Sequence, residues 1–199
     1  MADDPATEIL DATYRALCEH GYANLTLQDI AVEADTSKAS IHYHYDSKNQ
    51  LIAAFLDELF ERFIDRVDSP VGDTPQEQLD ALLQVLLSTD ADPSLREFRT
   101  AMLELKAQAP YDPTLQERLT EFDEVLSEQL RAILAAGVDA GGFDDTIEPT
   151  HDAEYLTTTI TGAHTRDIAI NQSSEQLYVT MTRHIERHLL ADEQPEVAQ

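Results

Sequence analysis

In 199 residues the chain sets 39 Asp and Glu against 13 Lys and Arg, a formal charge of −26. With 42% hydrophobic residues it can build a real core, so the charge does not imply wholesale disorder. One cysteine, Cys18, excludes an internal disulfide framework and any multi-cysteine zinc site, and no apolar run approaches the roughly 18–20 residues of a membrane span.

The acidic Met-Ala-Asp-Asp-Pro start has neither the basic segment nor the apolar stretch of a secretion signal. A soluble, cytoplasmic chain with no membrane partner is expected. The carboxylates are spread along the sequence instead of gathered in one block. That pattern fits adaptation to high salt, where self-repulsion is screened within about 3 Å at 1 M. One stretch departs from it. Between Thr36 and Lys48 stand two Lys, two His and a single acid, Asp46, for a local charge of +1.

Apolar residues recur at three and four positions nearly throughout, so an all-α fold is expected. The first helix spans about Pro5 to His20, with Ile9, Leu10, Tyr14, Ala16 and Leu17 inward and Gly21 as its stop. Cys18, beside this stripe, reads as a packed or half-exposed thiol. Thr26-Leu27-Gln28-Asp29 reads as a capping box for a short helix that turns Leu27, Ile30, Ala31 and Ala34 inward. Asp35-Thr36 breaks it. Ser37 caps a third short helix to His44 or Tyr45, with Ile41 and Tyr45 facing the core.

Ser47-Lys48-Asn49-Gln50 is a second capping box and opens a long helix ending near Ser69-Pro70. Its apolar face runs from Leu51 and Ile52 to Ile64 and Val67. Further helices are expected over Pro75–Ser88, Pro93–Gln108 and Pro113–Ala136, each with Pro near its start. A Gly- and Asp-rich turn from Gly137 to Asp145 precedes two last helices, about Thr150–Asn171 and Ser174–Ala191. The division drawn from this pattern is 1–46, 47–191 and a polar tail, 192–199.

Two short helices joined by a tight turn, the second capped by Ser and followed at once by another helix, form a helix-turn-helix pattern. The second helix exposes small polar, aromatic and cationic groups: Ser37, Lys38, Ser40, His42, Tyr43 and His44. Such a helix enters a major groove about 12 Å wide with its N-terminal residues at the base edges. Lys48 starts the next helix, where backbone amides favour a phosphate.

The segments Thr26-Leu27-Gln28-Asp29-Ile30-Ala31-Val32-Glu33-Ala34 and Ser40-Ile41-His42-Tyr43-His44-Tyr45-Asp46-Ser47-Lys48-Asn49-Gln50-Leu51-Ile52 resemble the DNA-binding signature of TetR-type (tetracycline-repressor-like) regulators. The resemblance implies a homodimer whose N-terminal three-helix modules read an inverted repeat. It implies a C-terminal helical domain that binds a small-molecule effector and forms the dimer. DNA contacts carried over by position are Thr26, Lys38, Ala39, Ser40, His42, Tyr43, His44 and Lys48. Lys38 and Ser40 are the expected base-edge readers, and Tyr43 and Lys48 the expected phosphate contacts. The sequence departs from the family pattern at Asp35, where Gly is usual, at His42, where an aromatic is usual, and in lacking a basic N-terminal arm, replaced by Asp3-Asp4.

The expected function is a homodimeric repressor, not an enzyme, released from operator DNA by an effector and needing no cofactor. The alternatives are a helical enzyme, which would cluster titratable groups in a pocket, and an acidic interaction protein, which would lack an exposed recognition helix. His42 and His44 lie about 200° apart around a helix and cannot easily share a metal ion. His184 and His188 have i,i+4 spacing but read as surface or dimer-seam residues. Phe60, Phe63, Ile64, Leu82, Leu86, Phe98, Met102, Leu105, Phe122 and Leu126 are core residues by default. By resemblance, some of them line an effector cavity, with Tyr155, Thr159 and His164 as inward polar groups. Expected dimer faces carry Tyr155, Leu156, Ile160, Ala163 and Ile168 on the penultimate helix and Leu177, Met181, Ile185 and Leu189 on the last.

Overall fold

The computed structural model of the chain describes residues 5–67, 71–87 and 93–190. The expected stop at Ser69-Pro70, the Asp3-Asp4 start and the 192–199 tail lie outside these residues. So do the side chains of Val67 and Phe98. Among the described residues there are nine α-helices and no strand. They are α1 (Pro5–Asn24), α2 (Leu27–Glu33), α3 (Lys38–His44), α4 (Lys48–Val67), α5 (Pro75–Leu87), α6 (Pro93–Gln108), α7 (Pro113–Asp139), α8 (Pro149–Ile170) and α9 (Ser174–His188).

Local chemistry sets most helix ends. At Gly21 the α1 backbone leaves the helical region (φ 69, ψ 160), the stop expected there, although one more turn follows to Asn24. Thr26 forms the full capping box with Asp29. Ser37 Oγ accepts from the Ser40 amide at 3.1 Å. The second box is only half formed. Ser47 Oγ accepts from the Gln50 amide at 3.2 Å, while Gln50 Oε1 reaches one residue further back, to the Asp46 amide at 2.6 Å.

Helix α7 runs past Gly137, which the sequence pattern places in the turn. Gly137 is helical because it must be small: a Cβ there would lie 1.8 Å from the ring of Phe143. The Gly142 and Phe143 amides both donate to the Gly137 carbonyl, closing the helix, and Phe143 is buried against its last turn. Gly141 (φ 71) makes the reversal.

The chain divides into two compact units, one of residues up to 65 with 90–122, the other of 66–89 with 123–199. In the first, α1 packs on α2 and α6, and α2 on α3. Its core joins Ile9, Ala12, Ala16 and Leu17 to Leu27, Ile30 and Ala31, and these to Ile41, Tyr45, Leu51, Ile52, Phe55, Leu56 and Leu105. Ile41 is the buried anchor of α3, and cutting it to Ala would cost about 2–5 kcal/mol.

In the second unit α5, α8 and α9 pack on one another. Leu79, Leu82, Leu83 and Leu87 are buried on α5, Ala153, Leu156, Ile160 and Ala163 on α8, and Met181 and Ile185 on α9. Several residues of the expected dimer face lie in this core. Ile160 is only 1% exposed, and Met181, Ile185 and Leu189 are buried as well. These side chains pack into the chain's own core. Ile168 and Leu177 are half-buried. Of the large apolar side chains on these two helices, Tyr155 of the expected dimer face is exposed, as are Ile170 and Val179.

Candidate nucleic-acid interface

The helix-turn-helix is built from α2 and α3. The turn between them places Asp35 at φ 46, the left-handed conformation for which glycine is the usual choice. Asp35 and Thr36 donate to the Val32 and Ala31 carbonyls and so satisfy the α2 C-terminus. Arg15 on α1 holds the same end. Its Nη2 donates to the Glu33 carbonyl at 2.9 Å and its Nε to the Glu33 carboxylate at 3.2 Å.

With Ile41 and Tyr45 buried, the opposite side of α3 faces solvent. Lys38, Ala39, His42, Tyr43 and His44 are all exposed, and Ser40 is half-buried. Tyr43 is 86% exposed, and its ring meets the His44 ring edge-on at 5.2 Å. The face therefore holds one ammonium, two imidazoles, a phenol and no carboxylate. These are donors for base edges and phosphates presented on a rigid rod.

Three expected contacts sit differently from the rest. The Thr26 hydroxyl and amide both donate to Asp29 Oδ2, at 2.6 and 2.8 Å, so both of its donors are engaged inside the cap. Ser37 is exposed, but its oxygen accepts from Ser40. Lys48 is turned inward. Its Nζ donates to the Tyr22 carbonyl at 2.9 Å and the Leu25 carbonyl at 2.6 Å, and stands 4.4 Å from the centre of the Tyr22 ring. Burial pushes its pKa below the ordinary lysine value, while the Asp29 and Glu104 carboxylates act the other way. Its charge serves the α1–α2 turn, a role that the +1 local charge could not reveal.

The expected effector residues fall into two groups, one in each unit. In the first, the Phe60 and Phe63 rings lie 5.1 and 5.5 Å from that of Phe122, and Ile64 and Met102 are half-buried. In the second, Leu126 is buried and His164 Nε2 donates to the Leu86 carbonyl at 2.8 Å. Thr159 donates to the Tyr155 carbonyl on its own helix. Tyr155 does not point inward as expected: it is 51% exposed, with its ring 5.4 Å from that of His184. The His184 and His188 ring centres lie 4.5 Å apart with the rings tilted by 42°, and among the described residues no three His, Cys, Asp or Glu side chains gather as metal ligands would. Nor is any described helix long and apolar enough to cross a membrane.

Sequence reasoning missed Glu104 of α6, whose Oε2 accepts from the Ala23 amide at 3.1 Å. The one available signal was Gly21, which implies a close approach without saying by what.

Comparison with known proteins gives the same picture. Residues 9–55 match the family described as bacterial regulatory proteins, tetR family, and residues 75–190 match the C-terminal domain of BetI-type transcriptional repressors. The chain is 28% identical over 172 residues to the HTH-type transcriptional repressor AcnR of Corynebacterium efficiens, covering 85% of each protein. The crystal structure of a TetR transcription regulator from Haloarcula marismortui is 39% identical, with a TM-score of 0.85 over 94% of this chain and 98% of that one. A transcriptional regulator from Saccharomonospora viridis, solved in complex with choline, shares the fold at a TM-score of 0.85 and 21% identity, covering 94% of this chain and 98% of its own.

Proposed function

The chain belongs to the TetR family of bacterial regulatory proteins, and on that premise we propose that it is a homodimeric repressor, released from an inverted-repeat operator by a small molecule. That it is a DNA-binding transcriptional regulator follows from the family itself. Residues 1–46 would read the DNA and 47–191 would bind the effector and the second copy, inside the cytoplasm. The observation that carries this reading is the outer face of α3, which is exposed, free of carboxylates and fixed from behind by buried Ile41. Lys38 and Ser40 would reach base edges, and Tyr43, with His42 and His44, the flanking phosphates and bases.

An enzyme or an acidic interaction protein has no use for such a helix, and the matched relatives are regulators. The exposed Tyr155, Ile170 and Val179, with half-buried Ile168 and Leu177, would offer apolar surface to a second copy.

The test is selection of duplexes from a randomised library by the purified protein at molar KCl. Enrichment of an inverted repeat with half-sites about 10 bp apart or a multiple of that, bound by an even number of chains in sedimentation, supports the reading. A single asymmetric site bound by one chain contradicts it.

A further inference from the structure

The last turn of α1, from the Gly21 break to Asn24, and Leu25 lead into the cap of α2, so they set the direction in which the helix-turn-helix leaves the body of α1. Two charged side chains from other elements grip this turn. From α6, Glu104 Oε2 accepts the Ala23 amide at 3.1 Å. From the start of α4, Lys48 Nζ donates to the Tyr22 and Leu25 carbonyls at 2.9 and 2.6 Å and covers the Tyr22 ring. An anion thus holds a turn amide and a cation holds two turn carbonyls. Charge-assisted bonds of this kind are roughly twice as strong as neutral ones.

Gly21 is fitted to the same contact. A Cβ there would stand 2.9 Å from Glu104 Oε1 and 3.0 Å from Oε2, and its φ of 69 already disfavours other residues. Glu104 lies in the region matched to the C-terminal repressor domain, whereas Ala23 lies in the region matched to the DNA-binding domain. The contact therefore joins the two matched regions inside one compact unit.

We propose that Glu104 is a positioning residue for DNA reading: through the Ala23 amide, and against Lys48, it fixes the α1–α2 turn and hence the direction in which α3 is presented to the groove. The inference rests on the DNA-binding reading above. Base-edge contacts depend on that direction more than contacts with the phosphate backbone do, so specific binding is the sensitive readout.

The experiment uses the full chain and two probes, a duplex selected by the unaltered protein and a random-sequence duplex of equal length. Glu104→Ala is expected to weaken the selected duplex about tenfold, roughly the value of one good base contact, and to leave random-sequence binding unchanged. Glu104→Gln keeps an oxygen that can accept the Ala23 amide, though as a neutral acceptor, and should bind the selected duplex more tightly than the Ala variant. Glu104→Asp is one methylene short and should behave like the Ala variant. If Glu104→Ala does not fold, the Gln and Asp pair decides the matter. Equal binding of the selected duplex by Gln and Asp variants overturns the proposal, as does a parallel loss on both probes, which a purely structural role would give. A selection by the unaltered protein that enriches no duplex overturns the DNA-binding reading and the proposal with it.

Discussion

Thr26 and Asp29 hold each other at three points: the Thr26 amide and hydroxyl donate to Asp29 Oδ2 at 2.8 and 2.6 Å, and the Asp29 amide donates to Thr26 Oγ1 at 3.3 Å. The hydroxyl and then the amide of Thr26 hold the Asp29 pKa below the usual aspartate range, with His20 adding a smaller pull. A folded pKa below the unfolded one, about 3.9, stabilises the fold above that value. The contribution is lost as pH falls through the unfolded value and on through the lower folded one.

Thr26→Ala is therefore expected to cost about 1 kcal/mol at neutral pH, within the 0.5–2 kcal/mol typical of lost caps. The difference should shrink in acid below the folded Asp29 value. Urea unfolding of both proteins at neutral and acid pH checks this. A gap that stays constant with pH would contradict it.

Asp35 occupies a left-handed turn at φ 46 with a side chain that tolerates the conformation better than most. Asp35→Gly is expected to raise the unfolding free energy by up to about 1 kcal/mol, and Asp35→Val to lower it by about 1–2 kcal/mol. Urea midpoints of the two variants measure this. A Val variant as stable as the unaltered chain would show that the turn carries no strain.

The caps at Thr26 and Ser37, the Gly21 stop and the left-handed Asp35 turn were legible because each depends on residues within four positions of one another. Ile41 and Tyr45 were legible because a seven-residue helix has only one face to bury. That Met181 and Ile185 pack into the chain's own core was not legible, for a physical reason. A 4-residue stripe shows that a face is buried, but not whether α5 or a second copy covers it. The inward turn of the Lys48 side chain was not legible, because carbonyl acceptors on a distant turn leave no sequence pattern. Gly137 looked like a breaker when its role is to admit the Phe143 ring.

The acidic surface reaches the helix-turn-helix itself: Asp35 and Asp46 are exposed on either side of α3. Where carboxylates approach phosphates, binding takes up cations, which offsets the counterions released elsewhere. Affinity for a selected duplex is expected to change little between 0.2 and 2 M KCl, as estimated from this balance, or to rise. A fluorescence titration that falls with a slope of about −0.9 per phosphate contact would contradict this.

Lys38 and Tyr43 carry the proposed DNA contact most directly, because both are exposed, neither supports the core, and together they supply the ammonium and phenol of the outer α3 face. The deciding measurement is the affinity of the Lys38→Ala, Tyr43→Ala double variant for a duplex selected by the unaltered protein, taken with its sedimentation. The expected result is loss of specific binding by more than about 100-fold, with assembly and thermal unfolding unchanged. Undiminished affinity in the double variant would mean that α3 does not read DNA.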